Sequence, residues 1–264
     1  MLTFEALSED AKLRGMPTAN TRGILREYLQ ILILKEMYQL PAGRKLFFTG
    51  ETYLRLAHQT KRFSENLDFN VSAMSKIEFE SVLQKIQATL KKTGVNTNLE
   101  FEHWGNLFVA ELIFPDIEKF YGIVLPHSKK EGIVIKVEAN NPKWNIKTQT
   151  LAITGFGQMY PVICTDKGAL FADKIDALLK KNRARHLFDI IFMLSKKYPV
   201  DSYVLKSLGI TENPFDVIVK CVNSFSIEEL KKQAESLRPF LFDEREADLI
   251  INAPAIVKQL LEMD

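Results

Sequence analysis

The sequence predicts a mixed α/β front half followed by an all-helical back half, and three observations carry that prediction. Short strand-like runs such as "KLFFTG", "NLDFNV" and "EGIVIKVEAN" alternate with amphipathic helical segments through the first part of the chain. From Lys167 onward the apolar residues recur only at helical spacing. No internal repeat or low-complexity segment interrupts either pattern, so one boundary near residue 165 is expected, with domains of 1–165 and 166–264.

Each element has its own local signal. Residues 20–39, "NTRGILREYLQILILKEMYQ", carry helical apolar spacing with Asn20 or Thr21 as N-cap, and Pro41-Ala42-Gly43 stops the run. "KLFFTG" reads as a short strand ending at Gly50, Glu51 to His58 as about two turns of helix, and "NLDFNV" as a strand holding both Asn66 and Asp68. "SKIEFESVLQKIQATLKKTG" is a strongly amphipathic helix closed by Gly94. "NTNLEFEHW" and "NLFVAELIF" form an expected hairpin about Gly105-Asn106, followed by the strands "EGIVIKVEAN" and "MYPVICTD". In the back half, "ALFADKIDALLKK" and "ARHLFDIIFMLSKK" are helices joined by a basic link, and three more helical segments follow. Pro254 is expected to kink or break the last of these.

Composition is that of an ordinary globular chain. There are 264 residues, 46% hydrophobic and 26% charged, and 35 basic against 33 acidic residues leave a net charge of +2. No strong global field marks a nucleic-acid binder, so any basic surface must be local. Cys164 and Cys221 stand far apart among apolar residues and are expected to be free, buried thiols. The first residues lack the basic and apolar regions of a signal peptide, and no apolar run approaches the roughly 20 residues of a membrane span. A cytoplasmic location is the expectation.

One set of residues suits nucleotidyl transfer. A nucleoside triphosphate needs a tight loop at a helix N-terminus to hold its phosphates. Mg²⁺ bridging those phosphates needs hard carboxylate oxygens, and a nearby lysine can take up phosphate charge. Gly50 and Thr52 supply the loop, Asp68 a strand carboxylate, Glu138 a further acid on another strand, and Lys174 a cation on the following helix. Singly these are weak signals. A glycine before a helix is usually a turn, and an acid at the end of an apolar strand is usually solvated. Their order along the chain gives them weight.

Gly50 to Phe69, "GETYLRLAHQTKRFSENLDF", resembles the G-G-T-x-L-R-L to R-F-S-E-D-L-D-F pattern of the AbiEii/AbiGii toxin nucleotidyltransferases, without a gap. The likeness reaches upstream to "LREYLQILILKEMY", and downstream to "VIKVEAN" and "FADKIDALLKKNRARHLFDI", covering roughly residues 20–200. It implies a nucleotidyltransferase-like mixed sheet core followed by a helical domain. It also implies Mg²⁺-dependent transfer of a nucleoside monophosphate from an NTP, with RNA, in some members tRNA ends, as acceptor. Type IV toxin–antitoxin membership and a winged-helix antitoxin are implied as well. Carried over by position, Gly50, Thr52 and Ser64 belong with the nucleotide, Asp68 and Glu138 with the metal, and Lys174 with the triphosphate. Asp189 takes the place of the last aspartate of the R-D-L-Y-D-L run.

Three positions depart from the pattern. Glu51 stands where a second glycine is expected, Asn66 where the first metal-binding aspartate is expected, and His186 where another aspartate is expected. An Asn66 oxygen can ligate a metal without the charge. Two unit charges 4 Å apart interact by about 4 kcal/mol at an effective dielectric near 20, an upper guide to the loss. Glu51 turned toward phosphates would repel them; turned outward it would suit the positive end of the helix. The contrasting expectation is therefore a weakened or inactive protein on the same scaffold that binds nucleotide or a protein partner.

Other features carry less. The link "KKNRARH", Lys180 to His186, is a solvated helix connection or a grip for NTP or RNA phosphates. Arg62, ahead of the metal strand, could help hold nucleotide or be a surface cation. His58, His103 and His127 have no zinc-like spacing. His186 and Asp189 would share a helix face as a structural pair. Trp104 is expected in the hairpin and Trp144 in a loop or at a sheet edge. No Ser-His-Asp order and no Walker-type loop is present.

Overall fold

Asn20 caps the long helix, its side-chain oxygen accepting from Gly23 N at 2.8 Å. The computed structural model describes residues 1–123, 132–181 and 183–262. His127 lies outside the described residues. The chain divides into two units. The first comprises Met1–Gln59, Phe63–Pro142 and Thr148–Cys164; the second comprises Thr60–Arg62, Lys143–Lys147 and Thr165–Asp264.

In the first unit, α1 (Phe4–Leu13) and α2 (Thr21–Gln39) precede β1 (Leu46–Thr49), α3 (Gly50–His58), β2 (Leu67–Val71) and α4 (Lys76–Lys92). Then come β3 (Asn98–Trp104), β4 (Leu107–Phe114), α5 (Ile117–Phe120), β5 (Ile133–Asn140), β6 (Thr148–Gly155) and β7 (Gln158–Thr165). The strands form one seven-stranded mixed sheet in the order β3-β4-β5-β2-β1-β7-β6. β2 runs antiparallel to β1 and parallel to β5, while β1 runs parallel to β7. The mixed α/β architecture expected from the sequence is present.

α2 is buried on nearly every side, with Ile24, Leu25, Leu29, Ile31, Ile33 and Leu34 fully excluded from solvent. It packs against α1, α4, β5 and β6, which is why its sequence is apolar well beyond one stripe. Ser75 and Glu78 form a capping box that starts α4. Its buried residues Phe79, Val82, Leu83, Ile86 and Leu90 lie against β3, β4 and α2. Gly94, at φ +86°, follows its C-cap. β3 and β4 pair down to Trp104↔Leu107, which leaves Gly105-Asn106 as the turn.

The second unit holds α6 (Lys167–Lys181), α7 (Ala184–Ser195), α8 (Ser202–Ser207), α9 (Pro214–Asn223), α10 (Ile227–Leu237), α11 (Asp248–Ile251) and α12 (Ala253–Glu262). The short segment 60–62 belongs with these helices: Arg62 bridges to Leu241, and Phe242 N donates to Lys61 O at 3.0 Å. Among the described residues no helix is long and apolar enough to cross a membrane.

Several expectations need correction. β2 begins at Leu67, so Asn66 precedes the strand, because its carbonyl is taken by Thr52 and not by a ladder partner. The break expected near Pro254 is present: α11 ends at Ile251, and Pro254 occupies the first turn of α12, where its missing N–H costs nothing. Cys164 is buried but Cys221 is only half-buried. Trp144 lies in the loop between β5 and β6 and Trp104 in the hairpin, both as expected, at 5% and 68% exposure. α1, α5, β6 and α8 had no expected counterpart. α1 was legible in principle: Thr3 accepts from Ala6 N as N-cap, and Leu7 and Ala11, four apart, are its buried residues.

Candidate active site

The site in the first unit is built where β1 turns into α3. Gly50 opens the helix at φ +79°, a left-handed conformation that L side chains rarely adopt. Space forbids a side chain there as well. A Cβ on Gly50 would stand 2.8 Å from Asp68 Cβ and collide with its carboxylate. The turn needs glycine for two reasons, and the second of them is Asp68.

Strand register gathers the acids. Thr49 is paired with Asp68 across β1 and β2, and Asp68 with Glu138 across β2 and β5. Directly opposed residues share a sheet face, and neighbouring strands lie about 4.8 Å apart. Thr49, Asp68 and Glu138 therefore form one row, with both carboxylates half-buried. Alternation sends the next residues to the opposite face, where Phe48, Phe69 and Ala139 are buried and the two phenyl rings lie 5.5 Å apart. Cys164, the partner of Phe48, is also on that face, and burial pushes its thiol up to about 12. It is no thiolate nucleophile near neutral pH.

The loop and the start of β2 are tied by hydroxyls. Thr52, fully buried, is hydrogen-bonded to the Ser64 hydroxyl at 2.8 Å and to the Asn66 carbonyl. The Ser64 carbonyl in turn accepts from Gln30 Nε2 of α2 at 3.0 Å. Thr52 and Ser64 thus brace the segment that delivers Asp68 to Gly50. Glu51, half-buried, lies in the first turn of α3, where an acid is compatible with the helix dipole.

A second cluster lies in the helical unit. Arg62 Nε and Nη2 donate to Asp189 at 2.8–2.9 Å, and Lys174 Nζ is 2.8 Å from the same carboxylate. All three are nearly excluded from water, at 2%, 4% and 0% exposure for Arg62, Lys174 and Asp189. The surface-cation expectation for Arg62 is overturned by this burial. His186, one turn before Asp189 on α7, is also buried, and Asp189 is engaged by Arg62 and Lys174. Sequence reasoning missed Thr49, although a threonine directly before a helix is a recognised N-cap signal.

The residues present fit Mg²⁺. Among the described residues no three His, Cys, Asp or Glu side chains gather as a closed metal cage. Mg²⁺ does not require one. It binds through one or two carboxylates and completes its shell with water and substrate phosphates. Asp68 and Glu138, side by side next to a helix N-terminus, offer that partial set.

Comparison with known proteins identifies the family and the fold. The family model described as "Nucleotidyl transferase AbiEii toxin, Type IV TA system" matches residues 32–249. JHP933 from Helicobacter pylori superposes with a TM-score of 0.56 at 17% identity, covering 92% of this chain and 94% of that one. MenT4, nucleotidyltransferase toxin Rv2826c from Mycobacterium tuberculosis H37Rv, gives a TM-score of 0.61 at 14% identity, covering 100% and 91%. At these identities the two structures show a shared fold. No curated protein sequence matches the chain. A family match over most of its length, on a sheet that sets Asp68 against Gly50, means that this chain belongs to the AbiEii nucleotidyl transferase toxin family of type IV toxin–antitoxin systems.

Proposed function

We propose that the protein transfers a nucleoside monophosphate from a Mg²⁺-bound NTP to an RNA hydroxyl, with tRNA ends as the first acceptors to try. The single observation that carries this reading is the row joining Asp68 to Glu138 beside the glycine turn at Gly50. The first amides of α3 lack partners within the helix and offer donors to phosphate oxygens. Asp68 and Glu138 would hold the divalent ion, with Asn66 as a neutral oxygen donor at the edge of the set. When bound, Mg²⁺ supplies charge neutralisation for the triphosphate and for the departing pyrophosphate. Thr52 and Ser64 act as a brace that keeps Asp68 aligned. For Lys174 and Asp189, family membership supports a part in catalysis, and their buried pairing supports a structural part beside it.

The basic link between α6 and α7 supports an RNA acceptor, since Lys181 and Arg183 are exposed. A winged-helix antitoxin and a cytoplasmic location belong to the same reading. A second reading, a binder with little catalysis, is favoured by Asn66 and Glu51. A loss of 3 kcal/mol in transition-state stabilisation is more than a hundredfold in rate.

The test is incubation of the protein with total tRNA and each labelled NTP in Mg²⁺, with Asp68→Asn as control. Label should enter RNA with wild type and fall at least a hundredfold with the variant. Tight Mg²⁺-NTP binding without any label transfer would favour the binder.

A further inference from the structure

Thr49 ends β1 and is the N-cap residue of α3, yet its side chain makes no capping hydrogen bond. An N-cap threonine ordinarily accepts from an amide of the first turn. Its hydroxyl oxygen is buried and has no hydrogen-bond partner among the described residues, and the residue is only 7% exposed. Buried hydroxyls are almost always satisfied, so an orphan asks for a reason. Its position supplies one. Pairing with Asp68 puts Thr49 on the face that carries Asp68 and Glu138, at the N-terminal end of a nine-residue helix. One unmet demand therefore sits at the helix end: among the described residues the Thr49 hydroxyl lacks a partner. A phosphate oxygen held at the helix N-terminus satisfies it by accepting from the hydroxyl.

We infer that the Thr49 hydroxyl is a further substrate-contacting group, donating to a phosphate oxygen of the nucleoside triphosphate held at the start of α3. This inference rests on the nucleotidyltransferase reading above. It makes Thr49 a binding residue in a chain whose loop carries Glu51 in place of a second glycine. The hydroxyl adds a neutral donor, which offsets part of what that acid removes and brings no further negative charge. It also separates stability from function. An unsatisfied buried hydroxyl is unfavourable in the free protein, so its removal by an isostere should not harm the fold.

The test measures calorimetric binding of Mg²⁺-ATP, -GTP, -CTP and -UTP to wild type, Thr49→Val and Thr49→Ser, with the melting temperature of each nucleotide-free protein. Thr49→Val is expected to melt at or above the wild-type temperature and to bind the preferred nucleotide about tenfold more weakly, or about 1.4 kcal/mol. Thr49→Ser is expected to bind within about threefold of wild type, a smaller loss than 1.4 kcal/mol. Wild-type affinity in Thr49→Val overturns the inference and leaves the nucleotidyltransferase reading intact. Failure of wild type to bind any of the four overturns both. If Thr49→Val does not fold, Thr49→Ala carries the same comparison, and unchanged affinity there is equally fatal.

Discussion

Asp189 shows how much of a side chain's setting only the structure reveals. The sequence marks it through family resemblance, and the structure surrounds it with Arg62 and Lys174 at 2.8–2.9 Å, all but sealed from water. A buried carboxylate between two cations is a stability commitment, because removing it leaves charge that has lost its counter-ion. Asp189→Ala should therefore lower the unfolding free energy by about 3–5 kcal/mol, read from urea denaturation midpoints. A change under about 1 kcal/mol would show that the cluster is not the anchor its geometry describes. Gly50 makes the complementary point. Its φ of +79° and the proximity of Asp68 are two constraints on one position, and a sequence shows the glycine without showing which constraint selects it.

At the scale of elements, strong local signals survived folding and weak ones did not announce themselves. α2 and α4 stand where their periodicity and caps put them, whereas β6 opens with three consecutive polar residues, Thr148, Gln149 and Thr150, and lies at a sheet edge, so its alternation is faint. The start of α4 carries a prediction in pH. A hydrogen bond from Lys45, then those from the Ser75 backbone and hydroxyl, hold the Glu78 carboxyl down at about 2. A carboxyl depressed in the folded state contributes stability above its unfolded value near 4.3, and that contribution fades as pH falls toward 2. Glu78→Gln should thus destabilise the protein at pH 7, with the difference from wild type shrinking between about pH 4 and 2. Melting curves across that range would show it. A gap that stays constant with pH would exclude the ionised carboxylate as its source.

For the molecule as a whole, ligand linkage gives the broadest measurement. A nucleotide that binds only the folded chain raises its stability by about 2.7 kcal/mol at a hundredfold excess over Kd. In a chain of this length, about 2–4 °C per kcal/mol translates that into a rise of about 5–10 °C in melting temperature. Mg²⁺-NTP should produce the shift and NTP with chelator should not, if the acids on β2 and β5 act through the divalent ion. If two transitions resolve, the rise belongs to the unit that carries Gly50, Asp68 and Glu138. An equal shift with and without Mg²⁺ would argue that these carboxylates do not hold it.

The sequence by itself determined the mixed front half, the helical back half, the principal caps and turns, and the family, because these depend on residues within a few positions of one another. Folding decided the rest through distant pairing. Register set Glu138 beside Asp68, and the chain brought Arg62 to Asp189 across 127 positions. Nothing in local periodicity specifies which strands pair or how deeply a side chain is enclosed. For that reason Lys174 was legible as a cation but not as a buried one, and the orphan hydroxyl of Thr49 was not legible at all.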